Sequence, residues 1–403
     1  MKLKTIVVVA AIGVVAVLSA IFLPRNTDFG AYWYGVRNFM NGTKPLYGPL
    51  SGMEYPQEFR YPPVTVLFFL PLTWLPLRVA SISWILAAWT VCSVSTYLAI
   101  RAWKLTFNFS GALLGLIFLA PYVVLAVKFG NVQPYLIALV LLALLFAETH
   151  PGWSGLALAV AICFKVWPLF FVPWLLLRRR RSALYYAGGA SAILWTAPVL
   201  FFGWSRYLVL LQDFFTHVVA LASGPEAVWY SSQSLRGVLL RLLTHSVHPR
   251  DGYPDVSFAG LPPALMAGCY VVLSVLIYGY SVLAMWRSNE SERWIWDAQA
   301  FVLFSFLQPF CMNSSLISLL PAILAGAYIY STPAGQYPAA SKRAFLLACG
   351  LVVLSCSPYL PLQREVLMFG IDFWIMLALT VTLGLAIRGV ARKLDPAYST
   401  QPA

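Results

Sequence analysis

The chain has 403 residues, of which 60% are hydrophobic and only 10% charged, against about 25% charged in an ordinary soluble domain. Too few charges remain to clothe a water-soluble fold of this size, so the bilayer is the expected solvent and a soluble enzyme is excluded. The net charge of +13 (27 Lys+Arg against 14 Asp+Glu) is then read first as the positive-inside signal of a membrane protein and not as a nucleic-acid footprint.

Met1-Lys2-Leu3-Lys4 followed by apolar Thr5–Leu23 reads as a retained anchor. The run is too long for a signal-peptide core, and Leu23-Pro24-Arg25 is a poor cleavage site. Further apolar spans are expected at 80–100, 110–128, 132–148, 183–203, 264–286, 294–310, 315–332, 343–357 and 366–387. The polar intervals 24–62 and 204–262 read as the bodies of two large outer loops, the first carried to residue 79 by segment 63–78, and 388–403 reads as a cytoplasmic tail. Segment 63–78 carries Pro63, Pro71 and Pro76 and suits an interfacial helix better than a span.

The basic clusters Lys2/Lys4, Arg101/Lys104, Arg178–Arg181, Arg287/Arg293, Lys342/Arg343 and Arg388/Arg392/Lys393 are expected on the cytoplasmic side. They fit one topology only if 152–177 crosses twice, broken near Phe164-Lys165-Val166-Trp167-Pro168, where proline cannot continue the helix. The expectation is an all-α polytopic membrane protein of about twelve spans, forming one transmembrane domain over 1–387.

The six cysteines form no CxxC pair, and the four histidines no HExxH. No GxxxxGK[ST] or credible GxGxxG occurs, so neither a metal nor a nucleotide cofactor is expected. The candidate chemistry gathers on the expected outer side. Asp28, five residues past the first span, can act as a general base at the water–lipid boundary or as the N-cap of a helix over Phe29–Asn38; the two roles are compatible. Arg60, beside the rigid Pro62-Pro63 turn, can grip a phosphate or snorkel to lipid headgroups. Lys165 sits at membrane depth in the expected break, where an ammonium is costly without an anion or water. The turn Lys128-Phe129-Gly130-Asn131-Val132-Gln133 reads either as turn chemistry or as a sugar-binding edge. Ser231-Ser232-Gln233-Ser234-Leu235-Arg236-Gly237 reads as a serine-capped helix start that also offers donors and a cation.

The order of these motifs resembles glycosyltransferase family 87. The resemblance rests on Asp28-Phe29 with Tyr32-Trp33, Gly42-Thr43-Lys44-Pro45-Leu46-Tyr47, Phe59-Arg60-Tyr61-Pro62-Pro63, Gly130-Asn131-Val132, Lys165-Val166-Trp167-Pro168 and Ser232-Gln233-Ser234-Leu235-Arg236-Gly237. It implies a GT-C-type fold and an inverting transfer of a hexose, mannose in the first instance. The implied donor is a polyprenyl-phosphate sugar and the acceptor a lipid or glycan on the extracytoplasmic face. By the same resemblance Asp28 is the base, and Arg60, Lys165 and Arg236 are phosphate partners. Tyr32, Tyr61, Lys128, Asn131, Gln133 and Gln233 are the substrate-binding candidates. The implied partners are the donor, the acceptor and membrane lipids, with no nucleic acid. Family members often carry a histidine in a later span, whereas the corresponding stretch here, Gln308–Ser315, has none. At the level of sequence a lipid or small-solute transporter, or a non-catalytic relative of the family, stays open, although no internal repeat of the transporter kind is found.

Overall fold

The computed structural model describes residues 14, 27–48, 58–219, 225–246, 255–286, 293–308, 311–355 and 365–393. Apart from Val14, the expected first span 5–23 lies outside them, as do residues 394–403 of the expected tail. The described residues are almost wholly helical. In chain order the helices are α1 (Thr27–Met40), α2 (Thr65–Phe69) running into a 3₁₀ turn (Leu70–Trp74), α3 (Leu77–Ala102), α4 (Phe109–Phe129), α5 (Gln133–Phe146) and α6 (Pro151–Phe164). A 3₁₀ turn (Trp167–Phe170) leads to α7 (Phe171–Leu177), followed by α8 (Arg181–Thr196), α9 (Val199–Phe202) and α10 (Trp204–Asp213). After Ser234 come α11 (Leu235–Leu243), α12 (Pro263–Trp286), α13 (Arg293–Leu307), a 3₁₀ segment (Asn313–Leu319) continuing into α14 (Leu320–Ser331), α15 (Ala339–Ser355) and α16 (Ile371–Lys393).

Six helical stretches among the described residues are long and apolar enough to cross a membrane: Leu77–Ala102, Phe109–Phe129, Arg181–Phe202, Pro263–Trp286, Asn313–Ser331 and Ile371–Gly389. The chain is a multi-pass membrane protein. The expected twelve spans are not matched one for one, and the reason is length. Helices α5 and α6 have 14 residues each, a rise of about 21 Å, short of the roughly 30 Å hydrocarbon thickness. Much of α5 is buried in protein, and a helix packed among others need not match the bilayer. The 152–177 stretch does break where expected: α6 ends at Phe164, Lys165 is extended, and Pro168 sits in the following 3₁₀ turn. Segment 63–78 is two short pieces followed by the start of α3. Helix α16 runs on to Lys393, so residues 388–393 of the expected tail are helical.

The described residues fall into two compact units, one drawn from 9–102 and 122–224, the other from 103–121 and 225–393. In the first, α5 packs on α3 and α6, and α6 on α8. Ser154 of α6 donates to the Ala143 carbonyl of α5 (2.6 Å). Gly155 lets α6 and α8 touch at the backbone: an added Cβ would lie 2.5–2.7 Å from Tyr186 Cβ, Ala187 N and Ala183 O, the close approach that small residues permit between membrane helices. In the second unit α13 is the axis, buried from Ile295 to Leu307 and packed on α14 and α16. Ser341 of α15 donates to Thr382 O of α16 (2.5 Å), and Ser355 to the buried Asp372 (3.3 Å). Asp372 thus serves as an interhelical group between α15 and α16.

Candidate active site

In the first unit an aromatic cluster forms the floor on which the candidate residues stand. Phe29 and Tyr32 of α1, Phe69 of α2, Trp84 of α3, Tyr135 of α5 and Phe164 of α6 pack ring to ring. Tyr32 stacks on Phe69 (4.6 Å between centroids), Phe69 meets Trp84 (5.2 Å), and Trp84 meets Tyr135 (4.3 Å). Such rings bury large apolar area and hold fixed geometry, which anchors the polar atoms beside them.

Asp28 lies in the first turn of α1, one residue inside the Thr27 start and not at the cap of a helix over Phe29–Asn38, next to the fully buried Phe29, and is itself half-buried. Its Oδ2 accepts a hydrogen bond from Asn131 Nδ2 at 3.0 Å. Burial pushes its carboxyl up from 3.8 to about 6, although Lys165, Arg60 and the Asn131 hydrogen bond all pull the other way. Desolvation outweighs two cations here because a carboxylate removed from water loses solvation that nearby charges only partly return. A carboxyl titrating near 6 is ionised at neutral pH yet basic enough to take a proton.

The turn that carries Asn131 is rigid. Gly130 has φ +66°, a conformation glycine adopts without strain, and Trp84 donates its indole N–H to Gly130 O (3.1 Å). Tyr135 donates to Trp84 O (2.8 Å), closing the clasp. Asn131 Oδ1 accepts the Gln133 N–H (2.9 Å), so the residue before the N-cap Val132 covers the first amide of α5, which begins Gln133-Pro134.

The Phe59–Pro63 segment is braced in turn. Tyr47 donates to Tyr61 O (2.7 Å), and Thr65 donates to Pro62 O (2.7 Å). The Tyr32 and Tyr61 hydroxyls lie 2.7 Å apart. Burial holds both phenols above their ordinary range, and the Asp28 charge adds to the rise in each. Arg60 and Lys165 are half-buried. Lys128 is exposed on the last turn of α4, with Nζ 6.0 Å from its neighbour Phe129's ring centroid. Gln133 is buried at the first turn of α5.

Asp28, Arg60, Lys165, Tyr32, Tyr61, Lys128, Asn131 and Gln133 therefore belong to one unit, and Gln233 and Arg236 to the other. In that other unit the 231–233 stretch pairs with 311–313: Gln233 N donates to Cys311 O (2.6 Å) and Asn313 N to Ser231 O (3.0 Å). The histidine-free segment is thus the backbone partner of the Ser-Gln-Ser motif. Gln233 is fully buried, and its Nε2 donates to Tyr230 O (2.6 Å) and Leu367 O (2.9 Å). Ser234 caps α11 as expected, accepting the Gly237 N–H. Half-buried Arg236 is held below its ordinary range by desolvation, with Tyr270 opposing.

Sequence reasoning missed Trp84, Tyr47 and Arg241. Trp84 is indistinguishable from a core aromatic in an apolar run, and nothing local to Tyr47, in the Gly42–Tyr47 motif of a polar loop, marks it as the brace of Tyr61. Arg241 carried a signal: it follows Leu235 and Val238 at i+6 and i+3, on the buried face of α11. Among the described residues no cluster of three or more His, Cys, Asp or Glu is placed to hold a metal ion.

The sequence model described as Glycosyltransferase family 87 matches residues 59–308, more than half of the chain. The chain belongs to glycosyltransferase family 87. Two curated relatives are named polyprenol-phosphate-mannose-dependent alpha-(1-2)-phosphatidylinositol mannoside mannosyltransferase. The one from Mycobacterium tuberculosis is 25% identical over 93% of this chain and 90% of its own length. The one from Mycolicibacterium smegmatis is 26% identical over 55% of this chain and 53% of its own. Among solved structures, ArnT from Cupriavidus metallidurans bound to undecaprenyl phosphate overlays on the whole of this chain and 82% of its own, with 16% identity and a TM-score of 0.36; that overlay is too loose to define a common fold. This family 87 protein is a membrane glycosyltransferase.

Proposed function

We propose that this glycosyltransferase moves mannose from a polyprenyl-phosphate donor to a lipid or glycan acceptor with inversion at the anomeric carbon, and that Asp28 is its general base. Asp28 takes the proton of the acceptor hydroxyl, the oxygen attacks the anomeric carbon, and the bond to the polyprenyl phosphate breaks with its electrons leaving on the phosphate. Arg60 and Lys165 bind the phosphate and stabilise the charge that develops on it. Tyr32, Tyr61 and Gln133 line the sugar subsite. The donor's lipid tail lies beside α2, in an outer-leaflet groove of a GT-C-type fold, and the site faces the extracytoplasmic side, opposite the basic clusters.

The observation that carries this reading is a recessed carboxylate held by Asn131 with two cations in its field, Lys165 and Arg60. The relatives' printed names supply the donor class, and their acceptor, a phosphatidylinositol mannoside, is the first to try. Purified protein is incubated with labelled polyprenyl-phosphate mannose and either that lipid or a membrane lipid extract. General-base help is typically worth about 10²–10⁴-fold, so Asp28→Ala is expected to cut turnover by that factor. Wild-type turnover in a normally expressed Asp28→Ala protein removes Asp28 as the base. Solute flux in liposomes without any transfer of label replaces the enzyme by a transporter.

A further inference from the structure

The clasp around Asp28 has a polarity that is not set by Asp28 itself. The Gln133 backbone N–H at the start of α5 needs an acceptor, and Asn131 Oδ1 supplies it at 2.9 Å. With its oxygen committed there, the amide can present only its N–H₂ group to Asp28, and Nδ2 reaches Oδ2 at 3.0 Å. Asn131 is 5% exposed, and the turn beneath it is fixed by Gly130 at positive φ and by the Trp84 indole. The donor therefore stands in place whether or not substrate is bound.

We propose that Asn131 is a positioning residue for Asp28: its backbone-polarised amide holds Oδ2, leaves Oδ1 toward the acceptor hydroxyl, and favours the ionised carboxylate. This rests on Asp28 being the base, and it replaces the sugar-ligand role that the sequence suggests for Asn131. A donor to the charged form opposes the burial that otherwise keeps the proton on. The other groups facing Asp28 are Lys165 from the break after α6, Arg60 and Tyr61 from the braced loop, and Tyr32 from α1 itself. The two cations also favour ionisation but belong to the phosphate in the proposed reaction, while the phenols are neutral. Asn131 is the uncharged donor to Asp28 and carries no charge that a departing phosphate would neutralise.

The test is the pH profile of kcat/KM for mannose transfer by the full-length protein. Asn131→Asp keeps an acceptor for the Gln133 N–H, so the first amide of α5 stays covered, but it sets a carboxylate oxygen against Asp28. The wild-type acid limb is expected near pH 6. In Asn131→Asp it moves to higher pH by about one unit or more, so kcat/KM at pH 6.5 falls about threefold or more and recovers toward pH 8, with the donor KM little changed. Asn131→Ser also keeps a short acceptor for that N–H and loses most of the donation; it shows a smaller shift in the same direction, and it decides the matter should Asn131→Asp not fold. A variant profile that superimposes on wild type reduces Asn131 to an acceptor for the start of α5, and a raised donor KM with an unmoved limb makes it a sugar ligand; either overturns the proposal. Loss of the base reading is recognised separately, by Asp28→Ala retaining turnover or by the absence of any wild-type limb near pH 6.

Discussion

Each unit of this glycosyltransferase buries cations, and it treats them oppositely. Arg241, 3% exposed on α11, donates from Nε to Met368 O (3.0 Å) and from Nη1 to Trp229 O (2.9 Å) and Ser232 O (2.7 Å), with Nη2 3.5 Å from Leu367 O. These are all backbone carbonyls, and burial lowers the guanidinium to about 10. Arg60 and Lys165 are half-buried and act instead on a carboxyl that is itself pushed out of its ordinary range. A cation whose donors are spent on carbonyls staples chain segments together. One whose field falls on a shifted acid retains an electrostatic role that a substrate's charge can enter.

The largest expected effect on stability tests the first half of this contrast. Arg241→Met conserves much of the side-chain volume but strips the partner from three or four buried carbonyls. At roughly 1 kcal/mol each, more for bonds to a charged donor, the loss is about 3–4 kcal/mol. It is read as a lowered apparent unfolding temperature in detergent, with specific activity per folded molecule retained. If Arg241→Met leaves the unfolding midpoint in place but abolishes transfer, the contrast breaks and Arg241 joins the chemistry.

The second half predicts the opposite sign. The carboxyl of Asp28 rises from 3.8 to about 6 on folding, so the folded state holds its proton more tightly. Stability from this group is full below pH 3.8 and is lost as pH rises through 6, which leaves the ionised form a net cost at neutral pH. The rise corresponds to up to about 3 kcal/mol. Asp28→Asn is therefore expected to raise the apparent unfolding temperature at pH 8, with the gain shrinking toward pH 4, while transfer collapses. An active site that is less stable than its inert variant is the usual price of a poised group. Equal stability of the two proteins at both pH values breaks the contrast from the other side.

Much of this was legible in the chain itself, for physical reasons. Composition determined the solvent, apolar length located α3, α4, α12 and the 320–331 stretch, and proline chemistry located the break at Lys165. The serine cap of α11 followed from local donors and acceptors, whereas α1 already begins at Thr27 and places Asp28 within its first turn. The pairing of Asp28 with Asn131 spans 103 residues, and no periodicity in a single sequence encodes a contact at that distance. The six long apolar helices among the described residues do not match the expected twelve spans one for one, because apolarity does not distinguish a helix facing lipid from one, such as α5, that is buried in protein. The commitment of the Gln233 side-chain nitrogen to backbone carbonyls was equally invisible, since a glutamine that anchors a loop has the same local sequence as one that binds a sugar.

The smallest expected effect concerns the clasp that lets the Asp28 region behave differently from the Arg241 staple. Trp84→Phe keeps the ring that meets Phe69 and Tyr135 but deletes the indole donor, leaving Gly130 O without its 3.1 Å partner. An orphaned buried carbonyl costs about 1–3 kcal/mol; with most of the ring packing preserved, about 1 kcal/mol in stability is expected. Because Gly130 adjoins Asn131, the substitution also loosens the donor to Asp28, so kcat should fall several-fold while the donor KM changes little. That split separates a clasp that aims the base from one that merely stabilises the turn, because a purely structural tryptophan lowers the unfolding temperature and leaves kcat of the folded protein where it was.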